Sequence, residues 1–316
     1  MNSRENLMVI VGPTAVGKTA ISIKLAKILN GEIISADSMQ IYKYMDIGTA
    51  KVTPEEMEGI PHYLIDVVYP DEEFTVADYK ELAEKIISDI NKKGKIPIVV
   101  GGTGLYVNSL VYDLNFTKVP PNEKIRKRLN ELADKFGNEY IHNMLEKIDK
   151  ESSKRIHVSD RKRIIRAIEI YEVTGIPMSE QNRDFRKQND RYNLAMIGLN
   201  MDRDKLYERI NMRVDKMIEN GLIAEVANLL KMGYTKELTS MQGIGYKEII
   251  KYLEGELTLE ESIELIKKGS RNYAKRQLTW FRRDSRIKWF NLDEYSNLDI
   301  LVNQIVNYVE KILRRE

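Results

Sequence analysis

The chain has 316 residues, a formal net charge of +2 and no cysteine. That length suits one large domain or two smaller ones, and the balanced charge confines any nucleic-acid surface to local patches. Without cysteine, the chain cannot hold disulfides, zinc fingers, iron–sulfur sites or a thiol nucleophile. Its histidines, His62, His142 and His157, lack the spacing of metal ligands, and we expect them to be structural.

No apolar run approaches the ~18 residues that a membrane-spanning helix needs. The first apolar run begins at Leu7, which leaves no room for a signal peptide before it. We therefore expect a cytoplasmic protein that makes no contact with a membrane.

A glycine-rich segment near the N-terminus indicates phosphate binding. Residues Gly12–Thr19 read GPTAVGKT and match the pattern G-x-x-x-x-G-K-[ST]. An apolar run of strand type precedes them at Leu7–Val11, and an amphipathic helical pattern follows at Ala20–Leu29, with Gly31 as its expected stop. Strand, loop and helix form the context that this motif requires.

The loop residues suit an anion with a divalent cation. Gly12 and Gly17 allow backbone N–H groups to converge on phosphate oxygens, and the helix N-terminus adds partial positive charge. Lys18 is expected to neutralise the terminal phosphates, and Thr19 to offer its hydroxyl to Mg²⁺. The segment therefore predicts a diphosphate or triphosphate ligand, with Mg²⁺ as the cofactor.

Two aspartates follow strand-like runs. Asp37 comes after Glu32–Ser35, at the carboxyl end of a predicted strand, where open α/β sheets bind their ligands. Its possible roles are an acid that organises Mg²⁺, a general base, or a cap on the following turn. Asp66 ends a later apolar run and is interpreted as a turn cap, with a metal-binding acid as the alternative.

A second glycine-rich turn, Gly101–Gly104, follows the apolar run Ile96–Val100. Such a run is typical of a buried parallel strand, so the turn is predicted at the same edge of the sheet as the first loop. Its glycines permit close approach of the backbone to a ligand, and Thr103 offers a hydroxyl there.

From about Val119 to Lys187 the alternation of strands and helices stops, and the pattern becomes helical. This segment is rich in basic residues, including Lys124, Arg126, Lys127, Arg128, Arg161, Lys162, Arg163 and Arg166. Solvated helix faces are usually charged, but the cluster of Arg161, Lys162, Arg163 and Arg166 is less easily explained in that way. We predict an inserted helical domain at 119–187, between two parts of a core at 1–118 and 188–316.

The C-terminal part returns to strands and helices. The predicted elements are a strand at Tyr192–Leu199, a helix from Asp202 to a stop at Gly221, a helix at Leu222–Lys231, a helix at Leu259–Arg283, a strand at Arg286–Phe290 and a helix at Leu298–Leu313. The helix at Leu259–Arg283 ends with basic residues interleaved with aromatic residues. This pattern fits nucleic-acid binding or the ordinary end of an amphipathic helix. The predicted fold is α/β: a P-loop NTPase-like core with a parallel sheet flanked by helices, plus an inserted all-helical subdomain.

Nine segments, in this order, resemble the tRNA dimethylallyltransferases, also called tRNA isopentenyltransferases, and together they span nearly the whole chain. They are GPTAVGKT (12–19), ISADSMQIYKYMDIGTAK (34–51), HYLIDVV (62–68), FTVADY (74–79), GGTGLYV (101–107), TGIPMSEQ (174–181), RVDKMIENGL (213–222), QGIGYKE (242–248) and YAKRQLTWFRR (273–283).

That family transfers a dimethylallyl group from dimethylallyl diphosphate to N6 of the adenine that follows the anticodon in tRNA. The resemblance implies a prenyltransferase whose partners are dimethylallyl diphosphate and the tRNA anticodon stem–loop, with Mg²⁺ as cofactor. We expect a monomer. Some eukaryotic members carry a C-terminal zinc finger, so this cysteine-free chain resembles the bacterial form.

The resemblance also implies roles for individual residues. Asp37 matches the general base, while Lys18 and Arg213 would stabilise the departing diphosphate. Residues expected to bind the diphosphate are Gly12, Thr14, Ala15, Val16, Gly17, Lys18 and Thr19, the last of these also binding the metal. Residues expected to bind tRNA are Asp37, Ser38, Met39, Gln40, Thr103, Arg126, Lys162, Arg163, Arg166, Lys275 and Arg276. The resemblance implies that the inserted domain at 119–187 binds tRNA, since residues 162–166 lie where the family's inserted domain meets RNA. Lys162 stands where the family frequently has Gln.

Two other functions are compatible with the P-loop. A small-molecule kinase would use ATP and could employ the basic insert as its lid. A nucleotide switch or RNA-binding protein without chemistry would have no need of Asp37 facing the P-loop.

Overall fold

The computed structural model describes residues 4–114, 119–181 and 187–313. The chain forms two compact units, one made of Met1–Val111 with Asn189–Glu316 and the other of Tyr112–Gln188. The helical insert predicted at 119–187 falls within the second unit, although residues 182–186 of it lie outside the described part.

The first unit is built on one parallel sheet. Its strands, as far as the chain is described, are β1 (Glu5–Val11), β2 (Gly31–Ala36), β3 (His62–Tyr63), β4 (Ile96–Gly101), β5 (Tyr192–Asn200) and β6 (Lys288–Asn291). They lie in the order β3-β2-β4-β1-β5-β6, and each neighbouring pair is parallel. β1 and β4 are apolar along most of their length and buried, as expected of inner strands covered on both faces. The predicted α/β fold with a P-loop NTPase-like core is confirmed.

The helices of this unit precede and follow the second unit in the chain. Those before it are α1 (Lys18–Leu29), α2 (Pro54–Met57), α3 (Val76–Lys92) and α4 (Gly104–Val111). Those after it are α10 (Arg203–Glu219), α11 (Leu222–Lys231), α12 (Tyr246–Leu253), α13 (Leu259–Phe281) and α14 (Leu298–Leu313), with 3-10 turns at Ser240–Gln242 and Leu292–Glu294.

The second unit is helical. Its described helices are α5 (Glu123–Phe136), α6 (Asn138–Ile148), α7 (Lys150–Arg155), α8 (Arg161–Thr174) and α9 (Met178–Gln181). Leu129, Ile141, Leu145, Ile164 and Ile168 form the centre of its own apolar core. A separate core is what allows a segment of this size to be a compact unit.

The sequence predicted the long elements to within about three residues, and missed the short helices α2, α4 and α12. It was wrong about the end of α1. The residue that leaves the helix in the left-handed conformation is Asn30 (φ 51°), and its N–H donates to the carbonyl of Ala26. Gly31 instead begins β2, where an added Cβ would lie 2.7 Å from Ile98 Cδ1. Glycine is needed at position 31 for packing between strands rather than for ending the helix.

The register of the sheet brings three chain segments to one edge. Val11 and Ala36, the last residues of β1 and β2, both pair with Gly101 at the end of β4. Because the strands are parallel, the P-loop, Asp37 and the second glycine turn leave the sheet at the same level. The predicted meeting of these segments is therefore confirmed, at the edge where open α/β sheets bind ligands.

Candidate functional site

The P-loop presents backbone donors without a side-chain cap. Gly17 precedes α1 with φ 102°, a left-handed conformation that glycine adopts readily, and no side chain caps the first turn of the helix. The first N–H groups of a helix have no partner inside it. Together with the helix dipole they form an anion-binding end.

Lys18 lies at this end of α1 and turns back onto its own loop. Its Nζ donates to the carbonyl oxygens of Gly12 (3.0 Å) and Pro13 (2.9 Å). Burial, helped by the positive charge of Arg213, lowers the pKa of Lys18 to about 8. An ammonium in this position gains a strong partner when a phosphate binds.

A stripe of cations on α10 faces the same cavity, which has a volume of about 640 Å³. Arg209, Arg213 and Lys216 repeat at helical spacing and line it together with Lys18. Within the described chain none of the three on α10 forms a salt bridge, and the hydrogen bond of Arg213 is to the hydroxyl of Thr14, at 3.4 Å from its Nη1. Burial lowers the pKa of Arg213. Such unpaired cations around one cavity call for an anionic ligand.

Sequence reasoning assigned only Arg213 of this stripe. The spacing of Arg209, Arg213 and Lys216 carries the signal that could have identified the others, because residues three, four and seven apart share one helix face. Tyr273 and Gln277 on α13 also line the cavity. Both lie in the segment 273–283 that resembles the family, but sequence reasoning assigned neither of them a role.

Asp37 lies directly after the end of β2 and lines the cavity, with one of its carboxylate oxygens already engaged. Its Oδ1 accepts a hydrogen bond from the N–H of Met39 at 2.9 Å, so it caps the turn after β2. In the described part of the chain Oδ2 has no hydrogen-bond donor. The carboxylate lines the cavity with Lys18 and Arg213, and both cations interact with it. One oxygen is therefore available to a substrate beside the phosphate loop.

The residues after Asp37 are held by the second glycine turn. Thr103 Oγ1 accepts from the N–H of Ser38 (3.0 Å) and donates to Ser38 Oγ (3.2 Å). Gln40 donates to the carbonyl oxygens of Thr49 and Ala50 at 3.4 and 3.3 Å. The segment from Asp37 to Gln40, expected to hold the adenine, is thus fixed from both sides.

A smaller pocket of about 170 Å³ adjoins the cavity. It shares Thr14, Ala15, Asp37, Arg213 and Tyr273 with the cavity. The rest of its wall is largely apolar and includes Met39, Ile210, Val214, Met217, Ile244 and Ile266. A strongly cationic surface and an apolar pocket therefore meet at Asp37.

Asp66 and His62 both form hydrogen-bond contacts within the protein. Asp66 Oδ1 accepts from Lys51 Nζ at 2.7 Å, and Asp66 is absent from the residues that line the cavity. His62 does line the cavity, but its Nδ1 contacts the carbonyl oxygen of Ile60 at 2.8 Å, and burial lowers its pKa. The described residues contain no cluster of three His, Cys, Asp or Glu side chains that could hold a metal ion.

In the helical unit the basic residues divide into two sets. Arg126 and Arg166 bind the fully buried Glu169, with contacts of 2.8 and 2.6 Å to its carboxylate. Lys162 and Arg163 are exposed, and within the described chain Lys162 has no acidic partner. Arg126 and Arg166 therefore stabilise the helical unit, whereas the exposed pair is accessible to a ligand.

Lys275 and Arg276 lie on the exposed side of α13. Trp280, one turn further on, is partly buried, and its indole lies 2.3 Å from where a Cβ on Gly104 would be. The basic residues of this helix end face solvent, while Trp280 packs against the start of α4.

The family model for IPP transferase matches residues 40–284. The chain belongs to this family. It is 55% identical to a tRNA dimethylallyltransferase of a Thermoanaerobacter species, over 96% of this chain and 97% of the relative. It is 54% identical to the tRNA dimethylallyltransferase of Clostridioides difficile, over 98% of each.

Solved structures of the family have the same fold. The tRNA isopentenylpyrophosphate transferase of Bacillus halodurans superposes with a TM-score of 0.72 at 46% identity, covering 98% of this chain and 99% of that one. A eukaryotic dimethylallyltransferase, crystallised acting on tRNA, superposes with a TM-score of 0.83 at 32% identity, covering 99% of this chain and 80% of that one.

Membership of this family makes the chain a transferase and supports the prenyltransferase interpretation. The kinase alternative receives no support from these comparisons. Within the described residues, no helix combines the length and the apolar composition that crossing a membrane requires.

Proposed function

We propose that this protein transfers a dimethylallyl group from dimethylallyl diphosphate to N6 of the adenine that follows the anticodon in tRNA, releasing diphosphate. The observation that carries this proposal is the position of Asp37, whose free carboxylate oxygen lies where the cationic phosphate site meets an apolar pocket. An allylic diphosphate is charged at one end and hydrocarbon at the other, so it matches both surfaces.

In the proposed reaction the adenine N6 attacks C1 of the allylic diphosphate, the C1–O bond breaks, and Asp37 takes the N6 proton. The departing diphosphate gains negative charge as the bond breaks. The P-loop amides, Lys18 and Arg213 would stabilise that charge, together with Arg209 and Lys216, which line the same cavity. The reaction needs no hydrolysis of a nucleotide.

We infer that Mg²⁺ accompanies the diphosphate. Mg²⁺ keeps several waters and takes few protein ligands when phosphates are present, so the lack of an acidic cluster among the described residues is compatible with it. Thr19 lines the cavity beside Lys18 and is the residue that would contact the ion. The ion would neutralise diphosphate charge.

We infer that tRNA contacts exposed basic residues of both units, Lys162 and Arg163 in the helical unit and Lys275 and Arg276 on α13. The positive charges of these exposed side chains would displace counterions from the RNA backbone. The adenine must leave its stack to reach Asp37. We also propose that the protein works as a monomer in the cytoplasm, where it would meet its tRNA.

The experiment supplies the protein with bulk tRNA together with either dimethylallyl diphosphate labelled in its carbon skeleton or ATP labelled in its terminal phosphate. We expect the carbon label to enter RNA in the absence of ATP, and nuclease digestion to recover it on a single adenosine. Transfer of the ATP label to any acceptor would support a kinase instead. Binding of tRNA without transfer of either label would support a protein that only binds RNA.

A further inference from the structure

Gln277 joins the two glycine-rich turns of the site. It lies on α13 and is 5% exposed. Its Oε1 accepts from the backbone N–H of Thr14 at 2.9 Å, and its Nε2 donates to the carbonyl oxygen of Gly102 at 3.1 Å. One side chain from a distant helix thus holds the P-loop and the turn after β4 at a fixed separation.

The two hydrogen bonds together require a side-chain end that carries both a donor and an acceptor, as the neutral amide of Gln277 does. A carboxylate could accept from Thr14 but not donate to Gly102, and an ammonium could do only the reverse. The fit is close, because a Cβ on Gly102 would lie 2.0 Å from Gln277 Nε2. Glycine at this position therefore makes room for the side chain of Gln277.

The two turns are linked to different parts of the proposed reaction, one to the diphosphate and the other to Asp37. Thr14 contacts Arg213 through its hydroxyl, and the P-loop would hold the diphosphate. Gly102 precedes Thr103, which binds Ser38 next to Asp37. A continuous series of contacts therefore runs from the P-loop through Gln277 to the segment that contains Asp37.

We propose that Gln277 is a positioning residue that sets the spacing between the diphosphate loop and Asp37. This proposal rests on the proposed function. Because the transfer step requires the N6 proton, C1 and the carboxylate to be aligned together, a small shift between the two turns slows transfer far more than it weakens the binding of either substrate.

The test compares two variants. Gln277→Met keeps a similar length but makes neither hydrogen bond. Gln277→Glu keeps the acceptor for Thr14 and places a negative oxygen against the carbonyl of Gly102. We expect each to lower kcat at pH 8 by about 10- to 100-fold, the size of effect that a small misplacement of reacting groups produces. The KM values for dimethylallyl diphosphate and tRNA should change by less than about threefold, because the binding groups remain.

The pH profile supplies a second readout. A protonated carboxyl has one acceptor and one donor, as an amide does, and burial raises the pKa of a carboxyl. The ratio of Gln277→Glu to wild-type kcat should therefore rise as the pH is lowered from 8 to 5.5, whereas the ratio for Gln277→Met should stay constant. Dividing by the wild-type rate removes the pH effects that the two proteins share.

Gln304→Glu is the matched control, since Gln304 is exposed on α14 and accepts from the hydroxyl of Tyr295, a contact that a carboxylate retains. Its kcat ratio should be near one at every pH. Hydrogen exchange of the Thr14 amide should be faster in Gln277→Met, and this can be measured without turnover.

The outcomes separate this proposal from the proposed function. A wild-type protein that transfers no dimethylallyl group would overturn the function itself. If the wild type is active, a normal kcat in Gln277→Met, a loss expressed only in KM for dimethylallyl diphosphate, or a flat pH ratio for Gln277→Glu would overturn the positioning role. Should Gln277→Met fail to fold, the pH ratio of Gln277→Glu decides.

Discussion

Asp37 uses its two carboxylate oxygens differently. Oδ1 accepts from the N–H of Met39 and fixes the turn, whereas Oδ2 has no hydrogen-bond donor within the described chain. A carboxylate fixed in this way loses no further freedom when it accepts a proton, which favours general base catalysis.

We predict that Asp37→Asn lowers the single-turnover rate of transfer by ~10²–10⁴, the usual contribution of a general base. Asparagine retains Oδ1 for the Met39 turn but cannot take the N6 proton. The affinity for dimethylallyl diphosphate should be nearly unchanged. Asp66→Asn makes the same change at a residue outside the cavity and should leave the rate near that of wild type. If excess Mg²⁺ restored the transfer rate of Asp37→Asn, Asp37 would be a metal ligand instead of a general base.

The second prediction concerns Lys18, whose pKa is lowered to about 8. We expect dimethylallyl diphosphate to bind the ammonium form. Its affinity should then fall by about twofold between pH 6.5 and pH 8 and weaken above pH 8 by up to about tenfold per pH unit, because binding must restore the proton. Equilibrium binding across this range measures the effect. Lys18→Ala should bind weakly at every pH and show no transfer. An affinity of the wild type that stays constant to pH 9.5 would contradict the assignment.

At the scale of the elements, α5 and α8 are joined through one buried charge. Glu169 accepts from Arg126, Arg166 and the backbone N–H of Asn122. Burial alone would raise the pKa of Glu169, but hydrogen bonds from Arg126 and Arg166 outweigh it and lower the pKa. These contacts tie the start of α5 to the middle of α8.

We predict that Glu169→Gln destabilises the helical unit by about 3 kcal/mol, since removing one partner of a buried ion cluster leaves the others uncompensated. The control is Glu172→Gln. Glu172 lies on α8, as Glu169 does, and is an exposed partner of Arg128. Its loss should lower the free energy of unfolding by about 1 kcal/mol or less. Hydrogen exchange of α5 and α8 measures both. The pKa of Glu169 is lower in the folded protein than in the unfolded chain. The stability contributed by its carboxylate is therefore present at neutral pH and is lost as the pH falls below the pKa of the unfolded chain. Equal protection in the two variants would refute the structural role.

At the scale of the whole molecule, the residues that line the two cavities and the exposed basic residues Lys162 and Arg163 belong to different units. Every residue that lines the two cavities belongs to the first unit. The second unit begins after Val111 and ends before Asn189, and these two residues are hydrogen-bonded to each other, with N to O at 3.2 Å.

We predict that replacing residues 112–188 with a short glycine linker spares diphosphate binding and weakens tRNA binding. The affinity for dimethylallyl diphosphate should remain within about twofold. The slope of log affinity for tRNA against log salt should fall by about 1 for each phosphate contact removed. A cooperative melt of the shortened chain is the control for folding. Unchanged tRNA affinity would remove the helical unit from RNA recognition.

The sequence alone determined the P-loop, the long strands and helices and the helical insert, because these depend on local spacing and apolar periodicity. It also placed Asp37 at a strand end, which in a parallel sheet fixes the edge at which it lies. The nine matching segments identified the family, which the comparisons confirmed.

Tertiary structure decided which polar residues are available and which are already engaged. Arg126, Arg166 and Lys162 look alike in the sequence, yet a carboxylate buried on α8 binds the first two and leaves Lys162 exposed. Gln277 contacts Thr14 across 263 positions of the chain, a separation at which no local pattern carries information. Such roles depend on which groups the packed helices bring within hydrogen-bonding distance of the sheet edge, and only the folded chain fixes those distances.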